Sequence, residues 1–185
     1  MRVDRSFEPL VTERLVLRRS RPEDAEAISA YRSDPDVHRY QGWDRIDPDG
    51  VRAEIEDMAR RAPGEPGGWV QLSAEDRSNG RLVGDVGLSL ADGEAGVIKV
   101  GYTIAPTFQR RGYATEAVGA LVAYAIDVLG ADVVRAHASA ENAPSIRVAE
   151  KVGMHLVERI EHRYGDEVWF GVRYELRRED RVEPS

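Results

Sequence analysis

The chain has 185 residues, 42% of them hydrophobic and 32% charged, which is the composition of a soluble globular protein with a single core. It contains no cysteine, which excludes disulfides, a thiolate nucleophile and a zinc-finger-type site, and its net charge of −7 argues against a broad nucleic-acid-binding surface. No apolar run approaches the ~18 residues of a membrane helix, and no apolar signal segment follows Met1–Arg5, so we expect a cytoplasmic protein that does not contact membranes.

The first third of the chain contains one strand pattern followed by two helix starts. Apolar residues alternate with charged ones over 12–18, which predicts a half-buried strand. A proline followed by two acids predicts a helix over 22–31, and an aspartate before a proline predicts a second helix over 47–61. We expect a loop at 37–44 and another at 62–68, a segment rich in glycine and proline.

The rest of the chain contains further strand patterns and two more helices. Strands are predicted at 69–74, 82–90, 96–104, 133–138, 156–163 and 168–176, with turns at 78–80 and 164–167. The clearest helix spans 114–129, where apolar residues recur every three or four positions before Gly130, and a shorter helix spans 143–152. Antiparallel strands followed by a strand–helix–strand crossover indicate an α+β fold with a mixed, mostly antiparallel sheet flanked by helices.

A basic turn, Gln109-Arg110-Arg111-Gly112-Tyr113-Ala114, lies between the predicted strand at 96–104 and the long helix. The first backbone N–H groups of a helix have no partner within it, and the helix dipole favours negative charge there. Gly112 lets the backbone approach a ligand closely, and Arg110 and Arg111 add donors suited to phosphate oxygens. The turn therefore predicts a phosphate site; the alternative is a plain helix start in which Gly112 serves only the turn.

Three segments carry a resemblance to a known family. The run VGYTIAPTFQRRGYATEA at 100–117 resembles the acetyl-CoA signature of the GNAT acetyltransferase superfamily. The run NAPSIRVAEKVGM at 142–154 resembles the second signature of the branch that contains the ribosomal-protein N-terminal acetyltransferases, and TERLVLR at 12–18 is similar to the way that branch begins. On this resemblance we expect one acetyltransferase domain over residues 9–178 that uses acetyl-CoA as co-substrate.

The resemblance implies a fold and a set of cofactor contacts. The strand at 97–104 is expected to carry a bulge and to splay from the strand at 133–138, with the pantetheine arm in the gap. Backbone groups of Tyr102, Thr103 and Ile104 would pair with the pantetheine amides and polarise the thioester carbonyl. The backbone amides of the basic turn would cradle the pyrophosphate: Gln109, Arg110, Arg111, Gly112, Tyr113 and Ala114.

The second signature supplies the candidate for protonating the leaving thiolate. Asn142 caps the short helix and, in this branch, commonly contacts the pantetheine arm as well. Many members of the superfamily have a tyrosine later in this helix as the acid, where this chain has Ala149. The role shifts to Ser145, one turn after the cap, or to water.

The group that takes the proton from the acceptor amine stays open. Relatives often have an acidic residue where this chain has Lys99, and a lysine that is charged at its normal pKa cannot accept a proton. Alternatives are an acceptor that arrives neutral, His38, or water-mediated transfer to one of three side chains: Asp85, Glu94 or His137. The spacing of the four histidines and the carboxylates indicates no metal site.

The acceptor is expected to be a primary amine, either a protein N-terminal α-amine or a small-molecule amine. Tyr40 and Trp43 could line its pocket, with Asp44 or Glu161 attracting a cationic amine. The last hairpin, with Trp169, Phe170 and Tyr174, could present an apolar edge to a homodimer, and a monomer is the alternative. A non-catalytic acyl-CoA-binding module is the second functional hypothesis, because Lys99 and Ala149 replace proton-transfer groups. The absence of a Gly-Lys-Ser/Thr run argues against a nucleotide hydrolase.

Overall fold

Eight strands form one sheet in the computed structural model, which describes residues 1–41, 43, 47–164 and 167–181. The strands are β1 (Leu10–Val11), β2 (Leu15–Arg19), β3 (Val70–Asp76), β4 (Leu82–Leu90), β5 (Val97–Ile104), β6 (Val133–Ser139), β7 (His155–Tyr164) and β8 (Glu167–Arg177). The α-helices are α1 (Ala25–Arg32), α2 (Pro35–His38), α3 (Pro48–Ala59), α4 (Tyr113–Asp127) and α5 (Ala143–Lys151).

The sheet is mixed and mostly antiparallel, which confirms the predicted α+β class. Its strand order is β1-β2-β3-β4-β5-β6-β8-β7, and every neighbouring pair is antiparallel except β5 and β6. The parallel pair is joined by α4, as a crossover connection requires. The predicted turn of the last hairpin, 164–167, lies partly outside the described residues.

The parallel pair separates beyond its first four residue pairs. Pairing runs from Val97–Val133 to Val100–Ala136, whereas β5 continues to Ile104 and β6 to Ser139. The predicted splay is therefore present, and it leaves the edge of β5 beyond Val100 without a partner in β6.

The bulge expected in β5 is absent. Over its described length, β5 pairs with β4 without a register shift from Ile98 to Ile104. The close approach of the two strands depends on Gly84, since a Cβ at that position would lie 2.1 Å from the backbone oxygen of Thr103. The lack of a side chain on Gly84, rather than an extra residue in β5, thus allows the β5 backbone to approach β4 here.

Helix α4 packs against one face of the sheet and forms the centre of the core. Ala117, Leu121 and Ala125 recur at four-residue intervals and are completely buried. They meet the fully buried strand residues Leu15, Leu17, Leu72, Leu88, Ile98 and Val134. The helix follows Gly112, which has a φ of +84°, and is followed by Gly130, with a φ of +78°.

Helices α1 and α3 cover the opposite face only at β2–β4. Their buried residues include Ile28, Val51 and Ile55, which form a second, smaller cluster. The loop predicted at 37–44 begins inside α2, because the Asp34 side chain accepts a hydrogen bond from the Asp36 backbone and Pro35 opens a helical turn. The polar face of β4–β6 remains partly open to solvent.

No helix within 1–41, 43, 47–164 and 167–181 has both the length and the apolar character needed to cross a membrane.

Candidate active site

A polar cavity of about 280 Å³ lies on the open face of the sheet, where β5 and β6 begin to separate. Side chains of a strand alternate between its faces, and the register pairs Asp85 with Thr103 and Gly87 with Gly101. Polar residues at alternate positions of β3, β4 and β5 therefore share this face. The cavity lining includes Trp43, Trp69, Gln71, Asp85, Lys99 and His137.

Two glycines make room for an indole ring in the cavity floor. A Cβ on Gly87 would lie 2.1 Å from Trp69 Nε1, and a Cβ on Gly101 would lie 3.1 Å from Trp69 Cζ2. The Trp69 ring thus crosses the paired glycines of β4 and β5, and its Nε1 donates a hydrogen bond of 2.8 Å to Gln71 Oε1. The sequence analysis missed Trp69 and Gln71, whose signal is the polar–apolar alternation of β3.

Asp85 is a buried carboxylate, with only 3% of its surface exposed. The Tyr31 hydroxyl donates to Oδ2 and the Gln71 amide donates to Oδ1. Burial raises the pKa of Asp85 to about 6, although these two donors and the positive charge of Arg32 act to lower it. Its ionisation state therefore changes within a pH unit of neutrality, so it can both accept and release a proton.

The other residues considered as proton acceptors differ in their surroundings. Glu94 accepts two hydrogen bonds from Arg135, at 2.6 and 2.8 Å, which lower the pKa of its carboxyl. Lys99 Nζ lies 3.5 Å from Asp92 Oδ2, as expected of an ion-paired strand residue. Partial burial, followed by the charge of Arg135, lowers the pKa of His137, so that this ring at the cavity is neutral at pH 7.

His38, the remaining alternative, is exposed and is not among the residues that line the cavity. Its ring lies near that of Trp43, with centroids 6.4 Å apart.

Tyr102 and Ser145 meet on the other side of β5. The two hydroxyl oxygens are 2.8 Å apart, and the Tyr102 hydroxyl also donates to the Ser145 backbone oxygen at 3.0 Å. Asn142 Oδ1 accepts from the Ser145 backbone N–H at 3.1 Å, so Asn142 caps α5 as predicted. Burial raises the pKa of Tyr102 to about 12. Sequence analysis assigned a role only to the Tyr102 backbone, and the structure adds its hydroxyl.

The basic turn has a backbone suited to an anion. Arg110 has a φ of 62° and Gly112 a φ of 84°, and turns that contain left-handed residues can present successive N–H groups to an anion. The Gln109 amide donates to the Ile104 backbone oxygen at 3.0 Å and so holds the turn against the end of β5. A pyrophosphate fits such a set of donors at a helix N-terminus.

Tyr113 and Ala114 complete the predicted turn. The Tyr113 ring is buried and its hydroxyl donates to Asp76 Oδ2 at 2.7 Å, so only its backbone faces the turn. Ala114 is half-buried in the first turn of α4. The turn is also bound to the segment just before β2, because Arg14 Nη1 donates to the Arg111 backbone oxygen at 2.9 Å.

A second cavity, of about 720 Å³, adjoins the first between α1, α3 and β3. Both cavities are lined by Trp43, Trp69 and Gln71. The charged groups of the second cavity are paired with one another, Arg32 with Glu54 at 2.6 Å and Arg61 with Asp57 at 2.7 Å. The charge of its described lining residues is therefore balanced.

The predicted acceptor residues are only partly brought together. Trp43 lines both cavities, whereas Tyr40 packs under the Arg39 guanidinium, 4.8 Å from the ring centroid, and lines neither. Glu161 forms an ion pair with Arg163 on the last hairpin. Asp44 lies outside the described residues. Within the described part of the chain, no three His, Asp or Glu side chains are arranged to hold a metal ion.

Comparisons with known proteins identify the family and the fold of the chain. Residues 14–155 match the Acetyltransferase (GNAT) domain family. The chain is similar to the uncharacterized N-acetyltransferase p20 of Bacillus licheniformis, with 31% identity over 151 residues, covering 77% of this chain and 79% of p20.

Solved structures share the fold. A GNAT-family acetyltransferase from Bacillus anthracis has a TM-score of 0.79 and 26% identity, over 93% of this chain and 99% of that one. RimJ from Mycobacterium smegmatis, in complex with CoA-disulfide, has a TM-score of 0.76 and 20% identity, over 90% and 83% of the two chains. These likenesses confirm the fold that the sequence resemblance implied.

Proposed function

Because the chain belongs to the acetyltransferase (GNAT) domain family, whose fold uses acetyl-CoA, we propose that it acetylates the N-terminal α-amine of a protein or peptide. The observation that carries this choice of acceptor is the pair of adjoining cavities. The first lies beside β5, and the second, larger one shares three of its described lining residues. An elongated acceptor can place its amine in the first cavity and its following residues in the second, whereas a small amine would need only the first.

The charge of the second cavity supports the same choice. A polyamine or an aminoglycoside is best held by carboxylates that lack cationic partners. Glu54 and Asp57 both pair with arginines, so the cavity offers no net negative charge among its described residues. A peptide backbone, with alternating donors and acceptors, suits a surface of balanced charge. A small-molecule amine is the alternative acceptor.

The chain's own residues would hold acetyl-CoA at two places. The turn from Gln109 to Ala114 would bind the pyrophosphate through backbone N–H groups, and the unpaired edge of β5 at Tyr102, Thr103 and Ile104 would align the pantetheine arm. Asn142, whose side chain caps α5, would contact that arm as well. Bound acetyl-CoA supplies the activated acetyl thioester. We assign the domain to residues 9–178, since the sheet extends from Leu10 to Arg177.

The departing thiolate must gain a proton, and the Tyr102–Ser145 hydroxyl pair on the α5 side of β5 is our candidate source. Because a thiolate is only weakly basic, it can depart without a strong acid, and a hydroxyl pair that relays a proton from water is sufficient. This pair takes the place of the tyrosine that relatives have at the position of Ala149.

The experiment begins with calorimetry of the protein with acetyl-CoA, with NADH and ATP as controls. Release of CoA thiol is then measured with hexapeptides that begin with serine or alanine, with spermidine and with an aminoglycoside. A hexapeptide with a blocked N-terminus and an internal lysine is the matched control for α-amine specificity. We expect turnover of the free peptides and none of the blocked one. Turnover of the small amines alone would contradict the peptide acceptor, and a lack of acetyl-CoA binding would contradict the activity itself.

A further inference from the structure

We propose that Asp85 accepts the proton that the acceptor ammonium loses before it attacks the thioester. This inference rests on the proposed function and identifies a catalytic residue within it. Asp85 would take the place of the acidic residue that relatives often carry at the position of Lys99. It reaches the same cavity from the neighbouring strand β4, opposite Thr103.

The position of Asp85 fits this task. Among the described residues that line the cavity beside β5, Asp85 is the one carboxylate. Among the described residues, Tyr31 donates to one oxygen and Gln71 to the other, while a carboxylate offers about four lone-pair sites. Capacity for a further donor therefore remains, and Gln71 is itself fixed by Trp69 Nε1 at 2.8 Å.

Asp24 shows how a buried carboxylate with a structural role differs from Asp85. Asp24 is also buried, but Arg18 holds it with two hydrogen bonds of 2.7 and 2.9 Å. A buried carboxylate that serves only the fold is usually paired with a cation in this way. No lysine or arginine nitrogen of the described residues lies within 4 Å of the Asp85 carboxylate, so among these residues the buried carboxylate has no cationic partner. A cationic ammonium in the cavity would supply the missing partner.

The charged groups around Asp85 leave it able to bind a proton. Tyr31 and Arg32 face it from α1, and Glu54 from α3 is already paired with Arg32 at 2.6 Å. On the cavity side stand Lys99, with its partner Asp92, and His137; Arg135, also in the lining, is held by Glu94 and Glu175.

Burial, the largest influence, keeps the pKa of Asp85 at about 6. An N-terminal α-amine has a pKa of about 7.7–8.0, so proton transfer to Asp85 is uphill by only ~2 units, against more than ~4 for a lysine-type amine. The proton affinity of Asp85 thus matches the proposed class of acceptor.

The proposed reaction balances as follows. One proton moves from the ammonium nitrogen to an Asp85 oxygen and later leaves to water. The nitrogen lone pair forms the C–N bond, and the C–S bond breaks with its electron pair on sulfur. The nitrogen then loses a second proton and the thiolate gains one, which gives the thiol of CoA. The products are the acetylated amine, CoA and one released proton.

Two measurements test the proposal. Carboxyl-carbon NMR of aspartate-labelled protein gives the pKa of Asp85 in the wild type and in Tyr31→Phe, which removes one donor to the carboxylate. We expect a pKa near 6 that rises in Tyr31→Phe, and a pKa near 4 would overturn the proposal. The pH profile of kcat/KM is then measured with the serine-initiated hexapeptide for the wild type, Asp85→Asn, Tyr31→Phe and, as the matched control in the same cavity, His137→Gln.

Asp85→Asn is expected to lower kcat by ~100-fold or more, with the Kd for acetyl-CoA unchanged. In Tyr31→Phe the acid limb of the profile should move to higher pH, a shift that a merely structural role would not produce. An acid limb that persists in Asp85→Asn and disappears in His137→Gln would overturn the proposal in favour of His137. If the wild type acetylates neither peptide nor small amine, the proposed function fails, and the NMR titration decides the proton affinity of Asp85 separately.

Discussion

Arg14 and Glu116, 102 residues apart in the chain, form an ion pair with 2.6 Å between Arg14 Nε and Glu116 Oε2. The Arg14 backbone N–H donates to the other carboxylate oxygen at 2.7 Å. Glu116 lies in the first turn of α4, where its negative charge would repel a bound pyrophosphate. Arg14 compensates that charge and, through its bond to the Arg111 backbone, also fixes the basic turn. A residue far from the turn in sequence thus maintains the proposed anion site.

Replacing Arg14 by alanine is expected to weaken acetyl-CoA binding about 10-fold, which corresponds to about 1.4 kcal/mol. The variant would lose the hydrogen bond to the turn and expose the Glu116 charge to the ligand. Calorimetry with acetyl-CoA measures the effect. Arg52→Ala removes a surface ion pair with the exposed Asp49 and should leave affinity unchanged. Equal affinity of folded Arg14→Ala and wild type would refute the positioning role.

Valine at Gly112 is expected to abolish acetyl-CoA binding while the protein remains folded. Gly112 has a φ of +84°, and a Cβ there would lie 3.2 Å from Arg14 Nη2 at the proposed pyrophosphate site. Gly93 is the matched control, because it has a φ of +73° but no heavy atom within 4 Å of an added Cβ. Both valine variants should carry similar backbone strain, of order 1–2 kcal/mol. Calorimetry should detect lost binding in Gly112→Val alone, and equal losses in the two would indicate general destabilisation.

Local patterns in the sequence predict the elements but not the contacts between them. The apolar spacing of 114–129 predicts α4, and the two signatures imply the splayed strands. Asp85 and its two donors come from different elements: Tyr31 is 54 residues away and Gln71 is 14. No periodicity in the sequence predicts these contacts, because they depend on strand register and on how α1 packs against the sheet. The prediction of a bulge in β5 is wrong for a similar reason, since Gly84 on the neighbouring strand accommodates the backbone there.

Ser145→Ala and Tyr102→Phe are expected to act on one step. Their hydroxyl oxygens are 2.8 Å apart, so removing either interrupts the same route for the proton to the thiolate. Each variant should lower kcat by ~10-fold or less, because the weakly basic thiolate can also be protonated by water, and should leave the Kd for acetyl-CoA within about 2-fold. Single-turnover kinetics of both variants and the double variant measure the effect. Fully additive losses would show that the hydroxyls act independently, and an unchanged chemical step would exclude both.

Asp85→Asn is expected to change the pH dependence of stability. In the unfolded chain Asp85 ionises near pH 3.9, whereas in the folded protein burial raises its pKa to about 6. Between these values the folded state binds more protons, so wild-type stability falls as pH rises from about 4 to about 6 and is then constant. Asparagine does not titrate. The free energy of unfolding of Asp85→Asn, relative to wild type, should therefore rise by up to about 3 kcal/mol from pH 4 to pH 7.

Urea denaturation of both proteins across this range measures the difference, and Asp24→Asn is the control of opposite sign. Burial alone would raise the pKa of Asp24, but hydrogen bonds from Arg18 and the Arg21 backbone lower it. Ionised Asp24 therefore stabilises the folded wild type above its unfolded pKa, a contribution that is lost as pH falls through its lower folded value. Relative to wild type, Asp24→Asn should become less stable as pH rises through the acid range. If the Asp85→Asn difference instead stays flat from pH 4 to pH 7, Asp85 has an ordinary pKa and could not serve as the proton acceptor near neutrality.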